Sequence, residues 1–210
     1  MCSRMGARPQ LILLGPPGAG KGTQATRLAE RLGLVHISPG QMLRERMCSD
    51  SPEGRRIGEL MSAGEFVPDE LIDRLVLERL ESLSPEQGFV LDGYPRTPAE
   101  ARFLRRALAR MNRAQPEPAV IWLEAPRDVL IARLAQRARE QGRPDDTERA
   151  IAHRLDLYGA QAWPLWETLE GWTKRLRIDA ARSPDEVTAE ILDALMHSPE
   201  VTTAGEKQAS

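Results

Sequence analysis

The chain has 210 residues with 29 Lys and Arg against 31 Asp and Glu, so its net charge of -2 offers no general attraction to nucleic acid or a membrane surface. Two cysteines, Cys2 and Cys48, without CxxC spacing argue against a disulfide framework or a structural zinc and point to a reducing compartment, the cytoplasm. No run approaches the roughly 18 apolar residues of a membrane span, and Met1 to Gln10 lacks the apolar centre of a secretory signal, so a soluble protein with a frayed lead is expected.

In chain order, Gln10 to Leu14 is a short apolar run without helical period that breaks at Gly15-Pro16-Pro17-Gly18, the pattern of a buried strand entering a tight loop. A helix is predicted from Lys21 to about Leu32 and a second strand over Val35 to Ile37. Helices follow over Gln41 to Cys48, Glu53 to Ser62 and Asp69 to Ser82, separated by Ser51-Pro52, Gly64 and Pro68, and this helical stretch reads as a mobile insert. Strand signals return at Phe89 to Asp92, Ala119 to Leu123 and Arg175 to Ile178, each followed by an amphipathic helical pattern. Two long helices, Asp128 to Glu140 and Thr147 to Leu169, flank the basic turn Gln141-Gly142-Arg143-Pro144, a second candidate moving part. The alternation predicts an α/β fold, a doubly wound parallel sheet with helices on both faces. A single domain is expected over 1–196, with 197–210, poor in apolar residues and without period, as a disordered tail.

The segment Gly15-Pro16-Pro17-Gly18-Ala19-Gly20-Lys21-Gly22-Thr23 follows a strand and opens a helix, the context in which a glycine-rich loop cradles phosphate. Glycines let backbone N–H groups turn toward phosphate oxygens, the helix N-terminus adds partial positive charge, and Lys21 can reach the outer phosphates. The alternative is a Gly-rich turn that binds nothing; the spacing, the Lys, the Thr and the preceding strand all speak against it. In the generic pattern Ser or Thr directly follows the Lys, whereas here Gly22 intervenes.

With GPPGAGKGTQA joined by ISPGQMLR (Ile37 to Arg44), AGEFVPDEL (Ala63 to Leu71), GFVLDGYPRT (Gly88 to Thr97) and GRPDDTE (Gly142 to Glu148), the chain resembles the adenylate kinases from roughly Gln10 to Leu195. The resemblance implies a P-loop NTPase-like five-stranded core, a helical insert at about 38–67 that binds the nucleoside monophosphate, and a short lid at about 137–146 in place of a zinc-bearing one. It further implies transfer from Mg²⁺-ATP to AMP with ADP as product, no structural zinc, and a monomer.

Phosphoryl transfer needs donor and acceptor in line and cations around the moving oxygens, with little covalent help, so arginines at separated positions are the expected tools. On matching positions, the resemblance places Gly18, Ala19, Gly20, Lys21, Gly22 and Thr23 around the ATP phosphates, with Arg133, Arg137 and Arg182 nearby. It places Arg44 and Arg96 on the acceptor phosphate and gathers Arg143 and Arg154 toward AMP, Lys21, Arg96, Arg137, Arg143 and Arg154 being the catalytic set. Pro39, Glu65, Phe66, Val67, Gly93, Tyr94 and Glu100 fall on the remaining acceptor positions. Any single arginine could instead serve a solvated helix face. Asp92 ends an apolar run at the C-terminal edge of the sheet, where open α/β folds bind ligands. There it can organise Mg²⁺ through water, with Thr23 as a weaker ligand, or cap the following turn. Asp145 and Asp146 either tether lid arginines or, for Asp146, cap the helix starting near Thr147.

Three positions depart from the usual family pattern: Pro39 for Thr, Gln41 for an acid, and Glu100 for the Gln that reads adenine. An ionised Glu only accepts hydrogen bonds, so it cannot donate to adenine N1. Either the acceptor preference is altered, toward a base with adjacent donors such as guanine, or Glu100 is protonated, displaced, or bonded to N6 alone. Thr97 argues against the related uridylate-cytidylate kinases, which usually carry Asn there. The competing readings are a P-loop kinase for another acceptor and an inert nucleotide-binding module; a regulatory GTPase is disfavoured by the absence of NKxD.

Overall fold

The computed structural model describes residues 9–65, 67–113, 116–141 and 147–197. The elements are β1 (Gln10–Leu14), α1 (Lys21–Leu32), β2 (Val35–Ile37), α2 (Pro39–Met47), α3 (Pro52–Ala63), α4 (Asp69–Glu81), β3 (Phe89–Asp92), α5 (Pro98–Arg110), β4 (Ala119–Glu124), α6 (Arg127–Gln141), α7 (Glu148–Thr168), β5 (Lys174–Asp179) and α8 (Pro184–His197). The strands form one sheet in the order β2-β3-β1-β4-β5, every pair parallel.

The central strands β1, β3 and β4 read as apolar runs because each face of the sheet has its own core, whereas the edge strand β5 alternates polar and buried residues. Ile12, Leu14, Phe89, Leu91, Val120 and Trp122 point into one. Leu11, Leu13, Val90, Ile121 and Leu123 point into the other. Alternate residues therefore go to opposite layers, and both layers are dry.

Between β1 and β4 the connections change direction, and the crevice beside that switch point is lined by Leu14 at the end of β1, Asp92 at the end of β3, and residues that follow β2 and β5. α2 begins at Pro39, two residues before the expected Gln41, because proline at the first helical position fixes φ and gives up an amide that has no partner there. α2 and α3 bury Leu43 and Ile57, whereas α4 buries Ile72, Leu75, Val76 and Leu80. The sequence groups α4 with the insert, yet this burial anchors it to the core. His197, expected to open the tail, closes α8 with its ring against the Asp193 carbonyl. The rest of the expected tail, the Gly142–Asp146 part of the lid, and Phe66 lie outside the described residues. No helix among the described residues is long and apolar enough to cross a membrane.

Candidate active site

From Leu14 the chain turns through Gly15–Gly20 into α1. The turn takes left-handed backbone at Gly18 (φ 85°) and Gly20 (φ 89°), where a β-carbon would be strained. At Gly18 that carbon would also stand 2.7 Å from the Leu130 carbonyl oxygen. Gly20 caps α1 without a side chain, so the helix's first amides, with its partial positive charge behind them, suit an anion. Lys21 bends back over the loop, its Nζ donating to the carbonyls of Gly15 (2.7 Å) and Pro16 (2.9 Å). Burial pushes its ammonium down to about 7; Asp92 opposes the fall, and Arg96, Arg137 and Arg154 add to it. Polyphosphate would supply the negative charge that this cluster of cations calls for.

Asp92 closes β3 beside that lysine. Ser38 donates its hydroxyl to Oδ2 at 3.2 Å, and His36 Nε2 stands 3.6 Å away. Burial works to raise the Asp92 carboxyl, but His36, Lys21 and Ser38 together hold it below the ordinary carboxylate range. A β-carbon at Gly22 would come 3.3 Å from Asp92 Oδ2, so the residue between Lys21 and Thr23 must be small for the carboxylate to lie against α1. One ionised carboxylate and the Thr23 hydroxyl fit Mg²⁺, which keeps most of its waters and takes few protein ligands. Among the described residues no group of three or more His, Cys, Asp or Glu forms a metal cage.

These groups line one open cavity of about 810 Å³, at the large end for small-molecule sites. Ser38, Gly40, Arg44, Gly93 and Arg96 form one end, Gly18 to Thr23 the middle, and Arg133, Ala180, Arg182, Pro184 and Val187 the other; Arg137 and Arg154 also face in. Arg96 is aimed by its Nε donating to the Gly93 carbonyl at 2.8 Å. Arg154 is steadied along α7 by a 3.4 Å bond to the Ala150 carbonyl. Arg182 is paired with Glu190 and Asp179. Arg133 reaches the cavity wall but donates to the carbonyls of Ala180 (2.7 Å), Ala181 (3.1 Å) and Arg182 (3.3 Å), which leaves mainly its flat face for a ligand.

Several expected acceptor residues stand outside the cavity wall. Pro39 is buried at the start of α2 and Val67 belongs to the core. Glu65 faces His153, Oε1 to Nε2 at 3.0 Å. Tyr94 is 1% exposed, its hydroxyl donating to Asp73. Glu100 is equally buried, and its Oε2 accepts the backbone N–H of Arg96 and Thr97 while Thr97 caps α5 in return. Its carboxyl is thus turned into the helix cap, away from the crevice. Arg143 and Phe66 lie outside the described residues.

Sequence reasoning missed Ser38, Gln24 and the Asp69–Thr97 bond of 2.9 Å. It also missed the cap, although Thr97-Pro98-Ala99-Glu100 carries the Thr-x-x-Glu signature of a capping box.

The sequence model of the family described as Adenylate kinase matches residues 13–174. An adenylate kinase of Stenotrophomonas maltophilia is 41% identical over 186 residues, which is 89% of this chain and 98% of its own. Adenylate kinase 1 of Nostoc sp. is 43% identical over 182 residues, 87% of this chain and 96% of its own. An adenylate kinase of Micrococcus luteus is 41% identical over 189 residues, 89% of this chain and 90% of its own.

Proposed function

This chain belongs to the adenylate kinase family and is a nucleoside monophosphate kinase, and we propose that it moves the γ-phosphoryl group of Mg²⁺-ATP to AMP, leaving two ADP, through the residues gathered in the crevice. The observation that supports this assignment is that Lys21, Asp92, Arg44, Arg96, Arg137 and Arg154 all face one cavity at the switch point of the sheet.

The amides of Gly18 to Thr23 cradle the donor phosphates, and Lys21 leaves the loop carbonyls for the outer phosphate oxygens. Arg44 and Arg96 hold the acceptor phosphate with planar, forked donors, which fix direction as well as charge. Arg137 and Arg154, joined by Arg143 from the lid, spread positive charge over the oxygens of the group in flight. No base is required, because the acceptor phosphate oxygen is already an anion. Asp92 through water, and Thr23 more weakly, are the residues that would hold a Mg²⁺ ion accompanying ATP, which would supply neutralisation of phosphate charge. Closure of the insert and the lid keeps water from the phosphoryl group, a motion for which the adenylate kinase lid is itself the general example. The enzyme works as a cytoplasmic monomer with small nucleotides as its partners and no nucleic acid.

The test is ADP formation from Mg²⁺-ATP with AMP, GMP, CMP, UMP and dAMP offered separately at matched concentration. A preference for AMP above about tenfold, or 1.4 kcal/mol, is expected. A different winner would overturn AMP as acceptor and make Pro39, Gln41 and Glu100 the positions to exchange; silence from all five would leave the inert module.

A further inference from the structure

The loop from Ala180 to Ser183 joins β5 to α8 and closes the end of the cavity farthest from Arg44 and Arg96. With the donor phosphates on α1 and the acceptor at the Ser38 end, the donor base is left with this far end. Its lining of Ala180, Pro184 and Val187, with the guanidinium of Arg133 beside it, suits a flat heterocycle.

The loop is clamped from two sides. Arg133 on α6 takes the carbonyls of Ala180, Ala181 and Arg182. From α1, Gln24 Nε2 donates to the Pro184 carbonyl at 2.9 Å. The Thr188 hydroxyl on α8 lies 2.7 Å from both Gln24 Oε1 and the Pro184 carbonyl. That hydroxyl has one proton. Since Pro184 already receives the Gln24 amide, the proton is needed by Gln24 Oε1, which would otherwise be a buried acceptor without a donor. Thr188 is fully buried and Gln24 is 3% exposed, so water does not substitute for either.

We infer that Gln24 and Thr188 are positioning residues for the donor base: their buried bond sets the distance between the phosphate loop and the Ala180–Pro184 seat. Gln24 lies one residue beyond Thr23, on the helix whose first turn receives the phosphates. The link therefore joins the donor's two ends through the protein and has no part in holding the acceptor. This inference rests on the reading of the crevice as an ATP site.

Thr188→Val keeps the shape of the side chain and removes the proton, and Thr188→Ser keeps the proton. Binding of a non-hydrolysable ATP analogue is read by titration calorimetry, alongside KM for ATP and AMP, kcat and the unfolding temperature. Thr188→Val is expected to weaken the analogue and raise KM for ATP by roughly tenfold, as an unmet buried acceptor would, with KM for AMP unmoved and Thr188→Ser close to wild type. Gln24→Met, which breaks the link from the other side, should show the same selective loss even if Thr188→Val folds poorly. Unchanged donor affinity, or equal losses for donor and acceptor that follow a lower unfolding temperature, would overturn the inference alone. A wild-type protein that does not bind the analogue would overturn the ATP reading and this inference with it.

Discussion

Glu100 carries a carboxyl where the surroundings disfavour its charge. Burial pushes it up to about 7; the Arg96 N–H and guanidinium pull the other way, and Asp69 and Asp73 raise it further. The sign for stability follows from proton counts. Between the ordinary value of 4.5 and about 7 the folded chain holds a proton that the unfolded chain has released, so stability falls as pH rises through that window and the cost is complete above it. Glu100→Gln keeps an acceptor oxygen for the amides of Arg96 and Thr97 and cannot ionise. It should therefore stabilise the protein by about 1–3 kcal/mol at pH 8 and change little near pH 4.5. Urea unfolding of both proteins at the two pH values checks this; a gain of equal size at both would mean that charge is not the cause.

At the scale of elements, α3 and α7 meet backbone to backbone. Gly64 ends α3 in the left-handed region at φ 78°, and a β-carbon there would stand 2.8 Å from the Ala150 carbonyl oxygen. One turn further along α7 sits Arg154, so this contact sets how the insert lies against a helix that faces the cavity. Gly64→Ala should cost about 1–3 kcal/mol from backbone strain and crowding. It should also raise KM for the acceptor more than KM for ATP. Steady-state kinetics with thermal unfolding decides; a stability loss with both KM values unchanged would separate the contact from acceptor binding.

Elements of this kind differ in how far the sequence reveals them. β1 and β3 are legible to the residue because burial on both faces leaves no polar alternation to confuse the ends, the short edge strand β2 is legible between Gly33 and Pro39, and α1 is bounded by Gly20 and Gly33. The phosphate loop is legible because its conformation is local. Arg133 is not, since its direction is decided by carbonyls some 47 to 49 residues away. Glu100 is harder to place for a different reason: a local capping role competes with a position in the ligand pocket, and here its carboxyl joins the cap of α5.

On the proposed reading, two ligand seats stand at opposite ends of one cavity, each built from segments distant in sequence. The acceptor seat joins Arg44 of α2 to Arg96 after β3, and the donor seat joins α1, α6 and the loop before α8. A ligand that bridges such segments binds only the folded chain, so at a hundred times its Kd it should stabilise by about 2.7 kcal/mol. Two independent seats would give about 5.4 kcal/mol when both are filled. If closure over one nucleotide orders the insert and lid that the second also needs, the second no longer bears that entropy and the pair should exceed the sum. The measurement is thermal unfolding with a non-hydrolysable ATP analogue, with AMP, and with both, each held at that multiple of its separately measured Kd. Arg96→Ala, assayed at the wild-type concentrations, should lose most of the AMP increment and keep that of the analogue, because Arg96 lies at the acceptor end alone. Strict additivity in the wild type would mean that the two ends of the cavity close independently.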